Sequence, residues 1–397
     1  MVIMLMPFIM PFGYLYALKR GEDKDFFQRL GFITLPETDS PSIWFHCASV
    51  GEVRSIKLIT DMMKKDIPGL KVVVSTTSAT GKAEAEKSIE PHTAFLLPLE
   101  NPMAVAHIIS YLNVKALIIV DTELWPNLII SAARHTRLFL LNGRMSDKSF
   151  KSYRRYRFLF GRMLRKFEHI YTKSDADTEK FAAVTGNINN VSTLGNIKFQ
   201  TRKPAPEKNF FAFLDGLSIF AAASTHRGEE ETAVKAFIES ASQDRLVIAP
   251  RHKNRIQEAV ETARSNGLTV STLSENSRET QVIVVDRFGT LEELYSISEK
   301  IFVGGSMNGT GGHNIYEALQ FRRHVCVGHN MSNFREIFEL ASKYHTVTVV
   351  KNSAEMAYYL RNGNNGADFD GLFAEMDSAQ NNILNTVGGV IKSVYPS

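Results

Sequence analysis

The sequence predicts an α/β protein made of two doubly wound domains, and three observations support this fold class. From residue 43 onward, short apolar runs alternate with segments of helical periodicity, as in a parallel sheet covered by helices. The alternation stops at a polar stretch with two prolines between residues 199 and 210, and then restarts. A chain of 397 residues is also too long for one ordinary core. We therefore expect two Rossmann-like domains that face each other across a cleft.

Six apolar runs predict the strands of the first domain. Helical patterns lie between them, for example at residues 52–65, 101–112 and 149–167. Ligands of such sheets bind beyond the carboxyl ends of the strands, so each loop that follows a strand is a candidate site. The six runs are 43–47, 70–75, 93–97, 116–120, 138–141 and 169–172.

Seven further runs predict the strands of the second domain, and the tail at 372–395 has a helical pattern. The predicted boundaries are an N-terminal segment at 1–20, a first domain at 21–200, a linker at 201–212 and a second domain at 213–397. The seven runs are 219–223, 246–249, 268–272, 282–285, 301–303, 324–327 and 346–350.

The N-terminal segment has the character of a membrane anchor. Its first 18 residues carry no charge, and Lys19, Arg20, Lys24 and Arg29 follow. A helix of that length measures about 27 Å, against a hydrocarbon core of about 30 Å. Because the basic residues follow the apolar run, the segment does not have the order of a signal peptide, and the body of the protein stays in the cytoplasm. We expect an uncleaved anchor or interfacial helix, with a buried first helix as the alternative.

Composition indicates a globular protein, with 44% hydrophobic and 22% charged residues and a mild net charge of +4. The two cysteines, Cys47 and Cys326, lie in apolar strand-like runs, which favours buried free thiols in a reducing compartment. The sequence has no Cys or His cluster with metal-ligand spacing, so we expect no metal.

A glycine-rich stretch at residues 304–319 predicts an anion site. It follows a strand-like run and leads into a helical pattern that begins at Tyr316. Unpaired N–H groups and the positive end of a helix dipole then face one point. The spacing fits neither a nucleoside-triphosphate loop nor a dinucleotide fingerprint. We expect a smaller phosphate here, with Glu317 placed to accept bonds from ribose hydroxyls; a plain strand-to-helix turn is the alternative.

Loops of the first domain carry acids and a lysine with possible chemical roles. Glu52 follows the first strand at a helix N-terminus, which favours the carboxylate form that a base requires. Glu123 lies in an acidic loop with Trp125 after the fourth strand, and Lys198 lies at the hinge within reach of a phosphate. The alternatives are a helix-start glutamate and an exposed linker lysine.

Loops of the second domain predict a nucleotide pocket, because donors follow successive strands of one sheet. The loop at 223–229 follows the first strand, Arg251 and His252 follow the next, and residues 288–290 begin a helix.

A basic segment at residues 144–166 carries nine positive charges against Asp147 alone, with aromatic residues between them. Nucleic acid, an anionic lipid surface and a solvated helix face all predict such a patch. The apolar N-terminus favours the lipid surface, and we expect no nucleic acid.

These motifs, in this order, resemble those of bacterial 3-deoxy-D-manno-octulosonic acid (Kdo) transferases, membrane-associated enzymes that add this sugar to lipid A precursors. The resemblance runs from the N-terminus to about residue 350. The motifs that carry it are Ser49-Val50-Gly51-Glu52, Thr122-Glu123-Leu124-Trp125-Pro126-Asn127, Gly195-Asn196-Ile197-Lys198-Phe199, Ser224-Thr225-His226, Pro250-Arg251-His252 and Gly304-Gly305-Ser306 with Gly311-Gly312-His313-Asn314.

The resemblance implies a GT-B fold, CMP-Kdo as donor, lipid IVA as acceptor, an inner-membrane location on the cytoplasmic side, and neither cofactor nor metal. It implies that Glu52 is the general base of an inverting transfer and that Glu123 and Lys198 stabilise the transition state. Ile315 and Phe288 depart from the family's usual proline and methionine. The residues implied to contact CMP are Arg251, His252, Phe288, Gly289, Thr290, Asn314, Ile315, Tyr316 and Glu317.

Two other functions remain open from the residues. Another GT-B glycosyltransferase or a nucleotide-sugar epimerase would share the second-domain pocket without requiring the apolar N-terminus or the basic segment. A non-catalytic, membrane-bound nucleotide sensor would keep the pocket and dispense with Glu52.

Overall fold

The computed structural model describes residues 23–98, 101–197, 206, 209–363 and 366–395. The chain divides into two compact units, one of residues 1–200 with 378–397 and one of residues 201–377. The predicted anchor at 1–20, most of the predicted linker and Lys198 lie outside the described residues. Within the described ranges, no helix is both long enough and apolar enough to cross a membrane.

The first unit contains one sheet of seven parallel strands in the order β3-β2-β1-β4-β5-β6-β7. Its central strands consist almost wholly of buried residues because helices cover both faces. The strands are β1 (Ser42–His46), β2 (Lys71–Thr76), β3 (Thr93–Leu96), β4 (Val114–Val120), β5 (Arg137–Gly143), β6 (His169–Thr172) and β7 (Val191–Thr193).

Among the described residues, eight helices lie between or before these strands. Several begin at a serine or asparagine whose side chain accepts a bond from an amide of the first turn. Helices α4, α5, α7 and α8 contribute to the core on one face, whereas α2 and α3 contribute to the core on the other. The eight are α1 (Asp23–Arg29), α2 (Val50–Asp66), α3 (Ala79–Ser88), α4 (Pro102–Tyr111), α5 (Pro126–Ala132), α6 (Asp147–Arg155), α7 (Arg157–Leu164) and α8 (Asp175–Thr185).

The second unit contains a parallel sheet in the order β10-β11-β9-β8-β12-β13-β14. Its strands are β8 (Ile219–Thr225), β9 (Arg245–Pro250), β10 (Val270–Thr272), β11 (Val282–Val284), β12 (Lys300–Val303), β13 (Val325–Val327) and β14 (Val347–Val349). Its helices are α9 (Glu229–Ser240), α10 (Ile256–Ser265), α11 (Leu291–Ile297), α12 (Tyr316–Leu319), α13 (Arg335–Lys343), α14 (Ser353–Asn362) and the start of α15 (Phe369–Val394).

Two features of the first unit differ from the sequence prediction. The helix expected at 149–167 is two helices, α6 and α7, which are separated at Tyr156, where ψ is 35°. The seventh strand, β7, was not predicted, because it has only three residues and its middle and last residues are polar. Both cysteines are buried and unbridged, as expected.

The tail corrects the predicted second-domain boundary. Helix α15 begins in the second unit, but its residues from 378 onward belong to the first. Ile383, Val387 and Ile391 recur at a spacing of four, form one apolar stripe and join the core that contains Ile56 and Ile118. The second unit therefore ends at residue 377 and not at 397, and the last turns of α15 belong to the first unit.

Candidate functional site

In the first unit, Glu52 lies in the first turn of α2, directly beyond β1. The amide of Ala48 donates to its Oε2 atom at 2.6 Å, and the Ser49 hydroxyl donates to its Oε1 atom at 2.8 Å. The Ser49 hydroxyl in turn accepts from the Glu52 amide at 3.4 Å, so the serine and the glutamate cap the helix reciprocally. The side chain is 7% exposed. These contacts hold the carboxylate at the carboxyl edge of the sheet as a hydrogen-bond acceptor.

Glu123 lies at the same edge, because β4 is the strand next to β1. Its Oε2 atom accepts from the Trp125 indole at 3.0 Å. Burial and then the charge of Glu123 raise the pKa of Tyr153. The structure thus places the two predicted acids after adjacent strands.

The loops beyond β4 and β5 are tied together by polar side chains. The amide of Arg144 donates to the Thr122 hydroxyl at 2.9 Å, and the Asn142 amide group donates to Asp121. Asp121 and Asn142 both have positive φ, 57° and 61°, a left-handed conformation that Asp and Asn adopt more readily than most other residues. The Asn142 carbonyl oxygen also accepts from the amide of Ile197 at 3.4 Å, so the chain lies at this edge one residue before Lys198.

In the second unit, a pocket of about 300 Å³ lies beyond the carboxyl ends of β8, β9 and β11. Five of the nine residues predicted to contact a nucleotide line this pocket. The Lys253 ammonium, which also lines it, lies 4.9 Å from the centroid of the Phe288 ring. The volume is at the lower end of the range for small-molecule sites. The five are Arg251, Phe288, Gly289, Thr290 and Glu317.

The other four predicted residues do not line this pocket. Asn314 donates to Glu317 Oε1 at 3.1 Å and accepts from the Tyr316 amide at 3.1 Å, so it supports the pocket from behind. Ile315 is fully buried, and burial raises the pKa of Tyr316 to about 12, as expected for core residues. His252 is exposed.

The first amides of the glycine-rich stretch are not open to an external anion. The carboxylate of Glu229 accepts from the amides of Gly305, Ser306 and Met307 at 2.7, 3.0 and 2.9 Å. It also accepts from the amide of His226 at 2.9 Å, and its side chain is 1% exposed. These three of the amides expected to face a phosphate are therefore occupied by a side chain of the same unit.

The first two glycines of this stretch, Gly304 and Gly305, lie against that carboxylate and a histidine. A Cβ on Gly304 would lie 2.6 Å from Glu229 Oε2 and 2.7 Å from the Ser224 carbonyl oxygen. A Cβ on Gly305 would lie 2.8 Å from the His313 ring, and the φ of Gly305 is 67°. Glycine is needed for close packing inside the unit.

Two histidines that the sequence prediction did not select meet beside the pocket. His226 and His313 bring their Nε2 atoms to 2.8 Å, with the rings stacked 5.0 Å apart. Burial and then the neighbouring charges of His226, Arg251 and His252 lower the pKa of His313 to about 4. The two residues are 87 positions apart; both lie in motifs that carry the resemblance, but nothing in the sequence shows that these two motifs meet.

Comparison with known proteins decides the family. The model of a family described as 3-Deoxy-D-manno-octulosonic-acid transferase (kdotransferase) matches residues 24–201. A 3-deoxy-D-manno-octulosonic acid transferase of Rickettsia bellii is 30% identical over 340 residues, which are 82% of this chain and 81% of that protein. The chain belongs to the 3-deoxy-D-manno-octulosonic acid transferase family. The predicted resemblance is therefore confirmed, and the family is one of glycosyltransferases.

One similar relative is longer than this chain. A bifunctional glycosyltransferase/methyltransferase of Fusobacterium nucleatum is 33% identical over 316 residues, or 75% of this chain. The matched part is 49% of that protein, so the chain spans about half of its length.

Solved structures support the fold alone. A glycosyltransferase from Rickettsia africae superposes with a TM-score of 0.57 at 12% identity, covering 90% of this chain and 99% of that one. The UDP-GlcNAc 2-epimerase of Neisseria meningitidis gives a TM-score of 0.57 at 10% identity, covering 89% and 99%. The predicted GT-B class is confirmed by these likenesses and by the two parallel sheets.

The family match places the predicted Kdo transferase acids and the pocket in different parts of the chain. Residues 24–201 include Glu52 and Glu123, whereas the nucleotide pocket lies in the second unit. Within the described ranges, no group of three or more His, Cys, Asp or Glu side chains is arranged to hold a metal ion.

Proposed function

We propose that this chain is an inverting glycosyltransferase that moves Kdo from CMP-Kdo to a lipid A precursor, lipid IVA. The observation that carries the proposal is Glu52, a carboxylate fixed beyond β1 in one of the motifs by which the chain resembles its family. The second unit contributes a pocket of nucleoside size beyond β8, β9 and β11. Family membership supports the sugar and the nucleotide as substrates.

Glu52 acts as the general base. Its carboxylate takes the proton of the acceptor hydroxyl as that oxygen attacks the anomeric carbon of Kdo, and CMP leaves with the electron pair of the broken bond. The Ser49 hydroxyl can rotate away from Oε1, which lets a substrate hydroxyl replace it as donor. The amide of Ala48 keeps Oε2 fixed and so maintains the orientation of the group.

Glu123 and Lys198 stabilise the transition state. A sugar that departs from a phosphate acquires positive charge near its ring oxygen, which a carboxylate stabilises electrostatically. The leaving phosphate acquires negative charge, which an ammonium group stabilises. The Trp125 indole donates to Glu123 at the same carboxyl edge of the sheet as Glu52, beyond the neighbouring strand.

The pocket of the second unit holds CMP, with Glu317 accepting bonds from the ribose hydroxyls and Arg251 facing the phosphate. The Phe288 ring is 64% exposed and lines the same pocket, so it offers an apolar face for the cytosine base. Gly289 and Thr290 lie beside it at the start of α11 and offer backbone donors.

One face of the first unit docks on the inner membrane from the cytoplasmic side. Six exposed large hydrophobic residues belong to, or flank, the helices of the α4 to α7 face, whereas the described residues of α2 and α3 expose none. Lys and Arg residues are exposed on α6 and α7, and the one acid there, Asp147, pairs with Lys180 at 2.7 Å. Interleaved apolar and cationic side chains fit an anionic lipid surface. The six are Met103, Tyr111, Ile130, Tyr156, Phe158 and Leu159.

Release of CMP from CMP-Kdo in the presence of lipid IVA tests the proposal. Wild-type protein should release CMP only when the acceptor is present, whereas an epimerase or a nucleotide sensor would not. Glu52→Gln should lower turnover by about 10²–10⁴-fold and leave CMP affinity within twofold, because it removes a general base and not a nucleotide contact. Glu84→Gln, a partly buried acid that pairs with Arg54 on the neighbouring helix, is the control. Turnover of Glu52→Gln close to that of the control would refute the assignment.

A further inference from the structure

Four nitrogen-rich side chains cluster beside the nucleotide pocket of the second unit. His226 and His313 share a hydrogen bond at 2.8 Å between Nε2 atoms, and their ring planes differ by 13°. The His252 ring packs edge-on against His226, 5.4 Å between centroids. Arg251 lies close enough that its charge contributes, after burial, to the lowered pKa of both His226 and His313. Because Arg251 also lines the pocket, the cluster adjoins the space where a nucleoside fits.

The acids nearest to the cluster have their oxygens engaged elsewhere. Both oxygens of Glu229 accept from backbone amides of the glycine-rich loop and of His226. Both oxygens of Glu230 accept from the Arg255 guanidinium, at 3.1 and 3.0 Å, and the Thr225 hydroxyl donates to one of them. Their charges still raise the pKa of His226 after burial has lowered it. Neither acid is arranged to fill the space next to the two histidines.

We propose that His226 and His313, together with Arg251, bind the phosphate of the nucleotide in place of the glycine-rich loop. The inference rests on the proposed function, which supplies CMP as the ligand. It adds two residues to the nucleotide site and moves the phosphate from backbone amides to side chains. The chemistry required is an oxyanion receptor, and the position of Arg251 on the pocket wall assigns that oxyanion to the nucleotide.

The histidine pair couples phosphate binding to proton uptake. Two imidazoles whose Nε2 atoms are hydrogen-bonded hold one proton between them, and each ring keeps its second nitrogen. Burial and the neighbouring positive groups disfavour a further proton on the unliganded pair. A bound phosphate reverses that balance, because an adjacent negative charge favours the imidazolium form. The groups that face the pair are Arg251 and His252 beyond β9 and Glu229 and Glu230 on α9.

The test compares CMP with cytidine by isothermal titration calorimetry on the full chain. His313→Gln and His226→Gln should each lower the ratio of CMP affinity to cytidine affinity by about tenfold, which is the usual effect of one hydrogen bond to a charged group. Cytidine affinity should stay within twofold of wild type. His135→Gln replaces an exposed histidine of the first unit and should leave both affinities unchanged.

Proton uptake gives a second measurement that does not depend on the variants folding. The heat of CMP binding to wild type, measured at pH 7 in buffers of different ionisation enthalpy, should show net uptake, and cytidine should show none. An unchanged CMP-to-cytidine ratio in folded variants, or no uptake by wild type, would overturn the proposal. A cluster that instead served the carboxylate of the sugar would give that unchanged ratio. Turnover of CMP-Kdo by wild type tests the proposed function separately.

Discussion

Replacement of Glu229 by glutamine tests whether a carboxylate organises the glycine-rich loop. Oε1 of Glu229 accepts from the amides of Ser306 and Met307, and Oε2 accepts from those of Gly305 and His226. Glutamine keeps one oxygen and places an NH₂ group at the position of the other. That group cannot accept a hydrogen bond, so two buried N–H donors lose their acceptor whichever way the amide is turned.

The size of the effect follows from those two donors. A buried donor without a partner costs about 1–3 kcal/mol, so the variant should lose about 2–6 kcal/mol of local stability. Since about 1.4 kcal/mol corresponds to a factor of ten in an equilibrium constant, the loop should open at least about 30-fold more often. Glu231→Gln is the matched control, because Glu231 lies on the same helix, is 57% exposed and pairs with Lys235 at 2.7 Å. An exposed pair of this kind contributes at most about 1 kcal/mol.

Native-state hydrogen exchange followed by mass spectrometry measures this opening on a peptide that covers residues 300–312. Fluorescence would miss it, because both tryptophans, Trp44 and Trp125, belong to the first unit. The reasoning predicts at least about 30-fold faster exchange of the loop amides in Glu229→Gln than in Glu231→Gln. Exchange within threefold of wild type would refute the conclusion that Glu229 holds the loop.

Two further predictions concern acid stability and the membrane. Burial lowers the pKa of His46 from 6.5 to about 4, so the unfolded first unit binds this proton more tightly than the folded one. The free energy of unfolding of this unit should therefore fall by up to about 3 kcal/mol as the pH drops from 6.5 to 4. Urea unfolding followed by tryptophan fluorescence should show a smaller loss of stability over this pH range in His46→Gln. Combined replacement of Phe158 and Leu159 by serine should weaken sedimentation with anionic vesicles several-fold. The control Lys57→Gln, on the opposite face of the sheet, should sediment as wild type does. Equal sedimentation of the two variants would contradict the proposed docking face.

Most of the fold was predictable because parallel strands buried on both faces produce continuous apolar runs. Strands β1, β4 and β8 lie within two residues of their predicted bounds for this reason. The missed features carry little or no local signal. Tyr156 separates two helices without a proline or glycine, and β7 is recognisable only from its pairing with β6. The last turns of α15 follow an ordinary amphipathic pattern, which does not say which core receives them.

The candidate site was predictable where a loop directly follows a strand, and not where the partner is distant in sequence. Glu52, Glu123 and Arg251 follow β1, β4 and β9, and the structure places each at a carboxyl edge. The start of the glycine-rich stretch differs from the expectation, because an anion site and a loop wrapped around an internal carboxylate both place backbone amides around one negative charge. Only the side chain of Glu229, 76 positions before Gly305, separates the two cases.

Each unit has a glutamate in the first turn of the helix that follows its first strand, and the two glutamates differ in the hydrogen-bond donors that they meet. Glu52 lies in the first turn of the helix after β1, the first strand of the first unit, and Glu229 begins the helix after β8, the first strand of the second. Glu229 accepts from four amides, so it meets a full set of fixed donors and has no capacity for a substrate proton. Glu52 accepts from one amide and from the Ser49 hydroxyl, a donor that rotates. The proposed general base requires an exchangeable donor such as the Ser49 hydroxyl, and the four amides that donate to Glu229 provide none.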